Sequence, residues 1–132
     1  RVANIKDSIP KIAVYEQTRA EKLKEKLKKN FEDFFVSEKV DQNRFEQEVL
    51  YYLERIDITE EKVRLAQHCE YFMSQLNSSD TQVGKILNFI SQEMGREINT
   101  LGSKAQDSDM QQIVVYMKDE LEKIKEQLAN IL

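Results

Sequence analysis

The sequence has few of the residues that form turns and crosslinks. Its 132 residues include three glycines, one proline, one cysteine and no tryptophan. A β-rich protein of this length would need more glycine and proline, because turns between strands depend on them. The single cysteine, Cys69, cannot form a disulfide within the chain, which is typical of proteins from reducing compartments. The composition therefore favours a helical protein, and we expect a cytoplasmic one.

Long apolar runs and familiar catalytic motifs are also missing. No stretch of about 18 apolar residues occurs, so the sequence predicts no membrane-spanning helix, and we expect no signal peptide. The HExxH, CxxC, P-loop and dinucleotide-binding glycine patterns are not found. The net charge of −4 argues against nucleic-acid binding driven by overall charge, although residues 19–29, "RAEKLKEKLKK", form a local basic run.

Apolar residues recur at helical spacing along the chain. A period of 3.6 predicts about five helices and no strand, and short loops between them favour antiparallel neighbours. The apolar stripe of residues 1–39 is thin, so we expect a long helical arm that is partly exposed. Residues 40–132 form the predicted domain. Its predicted core residues are Met94, Ile98, Leu121 and Ile124. The fold class is therefore all-α, an antiparallel bundle with an N-terminal arm.

Two helix ends are predicted from single residues. Thr59 precedes two glutamates, and a threonine in this position is a common N-cap of a helix. Gly102 follows the apolar stripe of the fourth helix, where glycine commonly ends a helix. These assignments place the third helix after Thr59 and the end of the fourth helix near Gly102.

The stretch "NFISQEMGREINTLGSK", residues 88–104, contains two glutamates one helical turn apart. On a helical wheel, Glu93 and Glu97 lie at the edge of the apolar face rather than opposite it. A carboxylate near a protein core is costly unless a cation, a metal or a proton is close by. Two interpretations stay open: salt bridges to Arg or Lys of a neighbouring helix, or a metal or acid–base site.

The third helix carries candidate partners for these carboxylates. Arg64 and His68 lie one turn apart on one face, and His68 is the only histidine in the sequence. One histidine with two glutamates is a ligand set that divalent first-row metals accept, and carboxylates also suit Mg²⁺ and Mn²⁺. We therefore predict that His68, Glu93 and Glu97 are metal ligands and catalytic residues, with Mg²⁺ or Mn²⁺ as the ion.

Two long stretches resemble a known family. "RFEQEVLYYLERIDITEEKVRLAQH" and "GKILNFISQEMGREINTLGSKAQDSDMQQIVVYMKDELEKIKEQLANI" resemble the C-terminal region of the YicC/YloC family. The most specific part, "QEMGREINTLGSK", is similar to the family pattern Q-E-x-x-R-E-x-N-T-x-x-S-K. The likeness covers residues 40–131. The family often has an acidic residue where Tyr116 stands and an arginine where Lys125 stands.

The resemblance implies a function that spacing alone does not. The bacterial members of the family are described as stress-induced proteins and as metal-dependent endoribonucleases, which cleave RNA. They carry a further N-terminal domain and are thought to form ring-like homo-oligomers that enclose RNA. The prediction is thus the C-terminal domain of an endoribonuclease. Its expected RNA contacts are Arg64, Arg96, Asn99 and Lys104.

A second hypothesis is a non-catalytic helical module for oligomerisation or scaffolding in a stress-induced protein. Its charged cleft would hold subunits together, and the acidic balance and long last helix favour it. The two hypotheses differ in geometry. Convergence of His68, Glu93 and Glu97 around an open position would favour the enzyme, whereas a bond from each of these carboxylates to an Arg or Lys, with no opening, would favour the scaffold.

Overall fold

The described part of the chain folds into five α-helices. The computed structural model describes residues 1–35, 42–78, 81–105 and 107–131, and no strand occurs in these ranges. The predicted all-α class is therefore confirmed, whereas the predicted boundary between residues 39 and 40 lies outside the described residues. The helices are α1 (Val2–Phe35), α2 (Gln42–Ile56), α3 (Thr59–Leu76), α4 (Val83–Lys104) and α5 (Ser108–Ile131).

Four of these helices close into a bundle. α4 packs against α3 and α5, and α1 completes the ring by packing against α5 and α3. The ion pairs Lys6–Glu70 and Glu16–Lys62 show that α1 and α3 run antiparallel. α2 packs against α1 outside this ring. The arrangement is an up-and-down four-helix bundle with one added helix.

Apolar side chains from all four bundle helices fill the interior. The predicted core residues Met94, Ile98, Leu121 and Ile124 are all buried. Cys69 is buried with them, and this burial raises the pKa of its thiol to about 12, so it packs as a small apolar side chain. No helix in the described ranges combines the length and apolar character needed to cross a bilayer.

Residues 2–16 of α1 pack on the bundle, and the described side chains of residues 17–29 are exposed except that of Leu23, which is partly buried. Val2, Ile5, Ser8 and Ile12 are buried at helical spacing, whereas Val14 is 64% exposed. α1 has 34 residues and α5 has 24, which correspond to lengths of about 51 Å and 36 Å. The predicted exposed arm is thus confirmed for the part of α1 that extends past the bundle.

Gly102 does not end α4, contrary to the sequence prediction. The helix continues to Lys104, and no described glycine has a positive φ. A Cβ atom at Gly102 would lie 3.1 Å from Val114 Cγ1, and one at Gly95 would lie 3.4 Å from Leu121 Cδ2. Both glycines therefore serve the close packing of α4 against α5 rather than a turn.

Candidate functional site

Three of the predicted site residues, Arg64, Glu97 and Lys104, lie at the contact between α3 and α4. We call this contact the polar seam and define it by Glu61 and Arg64 of α3 with Glu97 and Lys104 of α4. Lys104 Nζ donates to Glu61 Oε1 at 2.8 Å, and Arg64 Nε donates to Glu97 Oε1 at 2.8 Å. Residues early in α3 thus meet residues late in α4. Two charge-assisted hydrogen bonds join the antiparallel helices.

Glu61 is the most buried acid of the polar seam, with 4% of the residue exposed. Burial by itself raises the pKa of Glu61. The hydrogen bond from Lys104, a backbone hydrogen bond and the charges of Lys104 and Arg64 outweigh it and hold this pKa below its ordinary value of 4.5. The second carboxylate oxygen, Oε2, is buried and has no hydrogen-bond partner among the described residues. Glu61 is thus an ionised acid with one oxygen still able to accept a hydrogen bond.

Arg64 connects acids of both helices. Its Nε donates to Glu97, and its Nη1 donates to Glu60 Oε2 at 3.2 Å. These hydrogen bonds, the one to Glu97 first, raise the pKa of the guanidinium. Nη2 lies 3.9 Å from Glu61 Oε1, beyond hydrogen-bond distance, and 45% of the side chain is exposed. Glu97 therefore orients Arg64 while part of its guanidinium stays accessible to a ligand.

Lys104 also attaches the corner between α2 and α3 to α4. Its Nζ donates to the Asp57 carbonyl oxygen at 3.1 Å. The Asp57 carboxylate accepts from Thr59 Oγ1 at 2.6 Å and from the Thr59 backbone N–H at 2.9 Å, and these bonds lower the pKa of Asp57. Asp57, and not Thr59, supplies the side-chain oxygen at the start of α3. The predicted N-cap role of Thr59 is wrong.

Glu93 and Arg96 lie beside the polar seam on α4, whereas Asn99 lies about 160° around the helix axis from Glu97. The Glu93 side chain is 26% exposed, and Arg96 Nε lies 3.8 Å from its Oε1. This ion pair between neighbouring turns of one helix contributes little stability, because the Arg96 side chain is 80% exposed. Asn99 is exposed as well. Both Arg96 and Asn99 are accessible to a ligand, and their contact with RNA stays a prediction.

His68 lies one turn beyond Arg64 on α3 and is partly buried. Since Arg64 meets Glu97, the antiparallel register places His68 at the level of Glu93. Within the described residues there is no group of three His, Cys, Asp or Glu side chains that could hold a metal ion. Glu97 forms a salt bridge with Arg64 of the neighbouring helix, which is one of the two interpretations that the sequence left open. The roles of His68, Glu93 and Glu97 as metal ligands and catalytic residues stay predictions from the sequence.

An open groove adjoins the polar seam at Asp57 and Lys104. It has a volume of about 330 Å³, and apolar side chains such as Leu53 and Met110 line it together with Arg19 of α1. This volume lies at the lower end of the range for ligand sites in proteins, about 300–1,000 Å³. The Lys104 side chain is 30% exposed where it lines the groove. Solvent therefore reaches the Lys104 end of the polar seam.

A family-level comparison identifies the chain. A sequence model described as "Endoribonuclease YicC-like, C-terminal" matches residues 12–132. The chain belongs to this family. The match contains the whole polar seam, and it begins inside α1 rather than at residue 40, where the resemblance in the sequence begins.

Two curated relatives of this YicC-like domain share one name. "Probable endoribonuclease YicC" of Clostridioides difficile (strain 630) is 38% identical over 128 residues, which cover 96% of this chain and 43% of the relative. "Probable endoribonuclease YicC" of Haemophilus influenzae (strain ATCC 51907 / DSM 11121 / KW20 / Rd) is 36% identical over 108 residues, 82% of this chain and 37% of the relative. The chain thus spans less than half the length of either relative.

The site of this YicC-like domain includes two acids that the sequence prediction left out, Asp57 and Glu61. Asp57 precedes Thr59 by two residues, a spacing that often marks the start of a helix. Glu61 precedes Arg64 by three residues, a spacing that puts acid and base on one helix face. These signals indicate local partners. They do not show that Lys104, 43 residues after Glu61, bonds the Glu61 carboxylate and the Asp57 backbone carbonyl.

Proposed function

We propose that this chain is the C-terminal domain of a metal-dependent endoribonuclease that hydrolyses RNA phosphodiester bonds. The observation that carries the proposal is the family match over residues 12–132, together with relatives named as probable endoribonucleases. The chain spans 43% and 37% of those relatives. The activity is therefore proposed for the full-length protein, in which this domain takes part.

The polar seam offers side chains suited to RNA phosphates. A guanidinium already oriented by a buried carboxylate loses less freedom on binding phosphate, and its planar N–H groups match phosphate oxygens. Arg64 has this property, and the exposed Arg96 lies on the adjacent flank of α4. Each cation of the seam has an acidic partner. RNA binding would thus depend on hydrogen-bond donors that are held in position by their acidic partners rather than on the net charge of the domain.

The divalent ion of the proposed activity, Mg²⁺ or Mn²⁺, has no ready ligand group among the residues of this domain that the structure describes. Glu97 is bonded to Arg64, and the described residues contain no group of three metal-binding side chains. The ion is accordingly proposed for the full-length protein. The role proposed for this domain is to bind and orient the RNA.

A scaffold module is the second candidate, and the same bonds favour it. Glu97 accepts a hydrogen bond from Arg64 of the opposite helix, which is the geometry expected of a structural cleft, whereas the ion pair of Glu93 is with Arg96 of its own helix at 3.8 Å. In this alternative the domain holds copies of the chain together without taking part in cleavage. Homo-oligomerisation is proposed under either function.

RNA cleavage by the full-length protein, with EDTA, Mg²⁺ and Mn²⁺ in parallel, tests the proposal. Cleavage is expected with an ion and not with EDTA. Glu97→Gln removes the charge that orients Arg64, so it should abolish cleavage while the helical circular dichroism stays unchanged. Glu122→Gln is the control, since Glu122 is 67% exposed on α5.

The outcomes separate the two candidates. Full cleavage by a folded Glu97→Gln protein would contradict a role of the polar seam in the reaction. Failure of the wild-type protein to cleave RNA under every ion condition, combined with loss of oligomers in Glu97→Gln, would favour the scaffold.

A further inference from the structure

A second groove lies between α1 and α5. Because α1, α3, α4 and α5 form a ring of neighbours, this contact is at the opposite edge of the bundle from the polar seam. Tyr15 of α1 and Tyr116 of α5 both line it, and we call it the tyrosine groove. Its volume of about 520 Å³ is within the range of about 300–1,000 Å³ found for ligand sites.

Both tyrosines of the groove are accessible to a ligand. Tyr15 is 38% exposed and Tyr116 is 44% exposed. Unpaired RNA bases stack on tyrosine rings, and this stacking tolerates any base because each base has a π face. A tyrosine also loses little conformational freedom when it is covered, since it has two side-chain torsions. The groove thus presents two aromatic surfaces from two neighbouring helices.

The polar residues of the groove fit a nucleotide better than an apolar peptide. Lys11, Gln112 and Asp109 line the groove with the tyrosines, and all three are exposed. A lysine ammonium binds phosphate as a point charge. The glutamine amide can donate to and accept from a base edge, and a carboxylate can accept from an exocyclic amino group. A site with a cation, donors, acceptors and aromatic rings has the chemistry of nucleotide recognition.

We propose that the tyrosine groove binds single-stranded RNA, with unpaired bases stacked on Tyr15 and Tyr116 and Lys11 directed to a phosphate. The inference rests on the proposed function, since it takes RNA as the ligand. The groove selects single strands because bases inside a duplex are already stacked on one another. It is a binding subsite separate from the polar seam.

Binding of a fluorescently labelled, unstructured oligoribonucleotide to the full-length protein tests the inference. Fluorescence anisotropy in EDTA measures the affinity without metal-dependent cleavage. Tyr116→Ala and Tyr15→Ala should each weaken binding by about 5- to 150-fold, the range expected for loss of one stacked base. Tyr116→Phe keeps the ring and should bind as the wild type does. Tyr71→Ala is the matched control, because Tyr71 is 47% exposed on α3.

Two results would overturn the inference. One is equal affinity of Tyr116→Ala, Tyr15→Ala and the wild-type protein. The other is a change in oligomeric state of Tyr116→Ala by sedimentation without a change in RNA affinity, which would make the groove a protein contact. Failure of the proposed function is distinguishable. A protein that binds RNA through the tyrosines and never cleaves it contradicts only the nuclease, whereas cleavage with unchanged binding in the variants contradicts only the groove.

Discussion

Lys104 is the residue on which the polar seam most depends. Its Nζ donates both to Glu61 Oε1 and to the Asp57 carbonyl oxygen. Lys104→Met keeps the aliphatic stem and removes the cation from the buried acid. An unsatisfied buried acceptor costs about 1–3 kcal/mol, so we expect the free energy of unfolding in urea to fall by that amount. Lys85→Met, at an exposed position of α4, should change it by no more than about 0.5 kcal/mol. Equal effects of the two variants would show that the bond to Glu61 contributes nothing.

Glu61 should also make stability depend on pH in the acid range. Its pKa in the folded protein lies below the ordinary value of 4.5. A carboxyl group with a lowered folded-state pKa contributes stability that is present above the unfolded-state pKa and is lost as the pH falls through the folded-state pKa. The loss should therefore begin near pH 4.5 and continue below it. Glu61→Gln should reduce the acid slope of the unfolding free energy, and an unchanged slope would contradict this assignment.

The fifth helix should contribute stability from one face only. Leu121 is 3% exposed and Val115 is 63% exposed on the same helix. Leu121→Ala leaves a cavity in the core and should lower the free energy of unfolding by about 2–5 kcal/mol. Val115→Ala, the control on the open face, should change it by no more than about 0.5 kcal/mol. A melting midpoint that Leu121→Ala leaves unchanged would mean that α5 does not pack on the bundle as described.

The contact between α4 and α5 should respond differently to alanine at its two glycines. Alanine favours a helix over glycine by about 1 kcal/mol. At Gly95 the new methyl group would meet Leu121 at 3.4 Å, an ordinary contact, whereas at Gly102 it would meet Val114 at 3.1 Å. Gly95→Ala should therefore raise the melting midpoint, and Gly102→Ala should raise it less or lower it, since Val114 must shift. A melting midpoint that is higher for Gly102→Ala than for Gly95→Ala would show that α4 and α5 are not closest at Gly102.

At the scale of the whole molecule, α1 and α2 leave apolar surface outside the bundle. Leu50 of α2 is 59% exposed, and Leu23 of α1 is only partly buried. We predict that this surface contacts another copy of the chain or another part of the full-length protein. Leu50→Lys should lower the oligomer mass in sedimentation because a charge would be buried at the contact. Val63→Lys, at a 51% exposed position of α3, should leave it unchanged. A monomeric wild-type protein would contradict a contact between copies.

Much of the fold follows from local sequence. The five helices and the burial of Met94, Ile98 and Leu121 were predicted from apolar spacing, because the period of 3.6 is a property of each segment by itself. The same spacing placed Glu97 at the edge of the core, where the structure has it buried. The role of Gly102 was not predictable in this way, since its neighbour Val114 belongs to another helix.

Only the tertiary structure decided which acid meets which cation. From the sequence alone, Glu97 could have formed a salt bridge with an Arg or Lys of a neighbouring helix or belonged to a metal or acid–base site. The register of α3 against α4 brings Arg64 to Glu97 and Lys104 to Glu61. That register is set by how the apolar faces of two helices interdigitate. Each helix has its own period in the sequence, but the relative position of two helices depends on the packing of both, and so does the chemistry of the site between them.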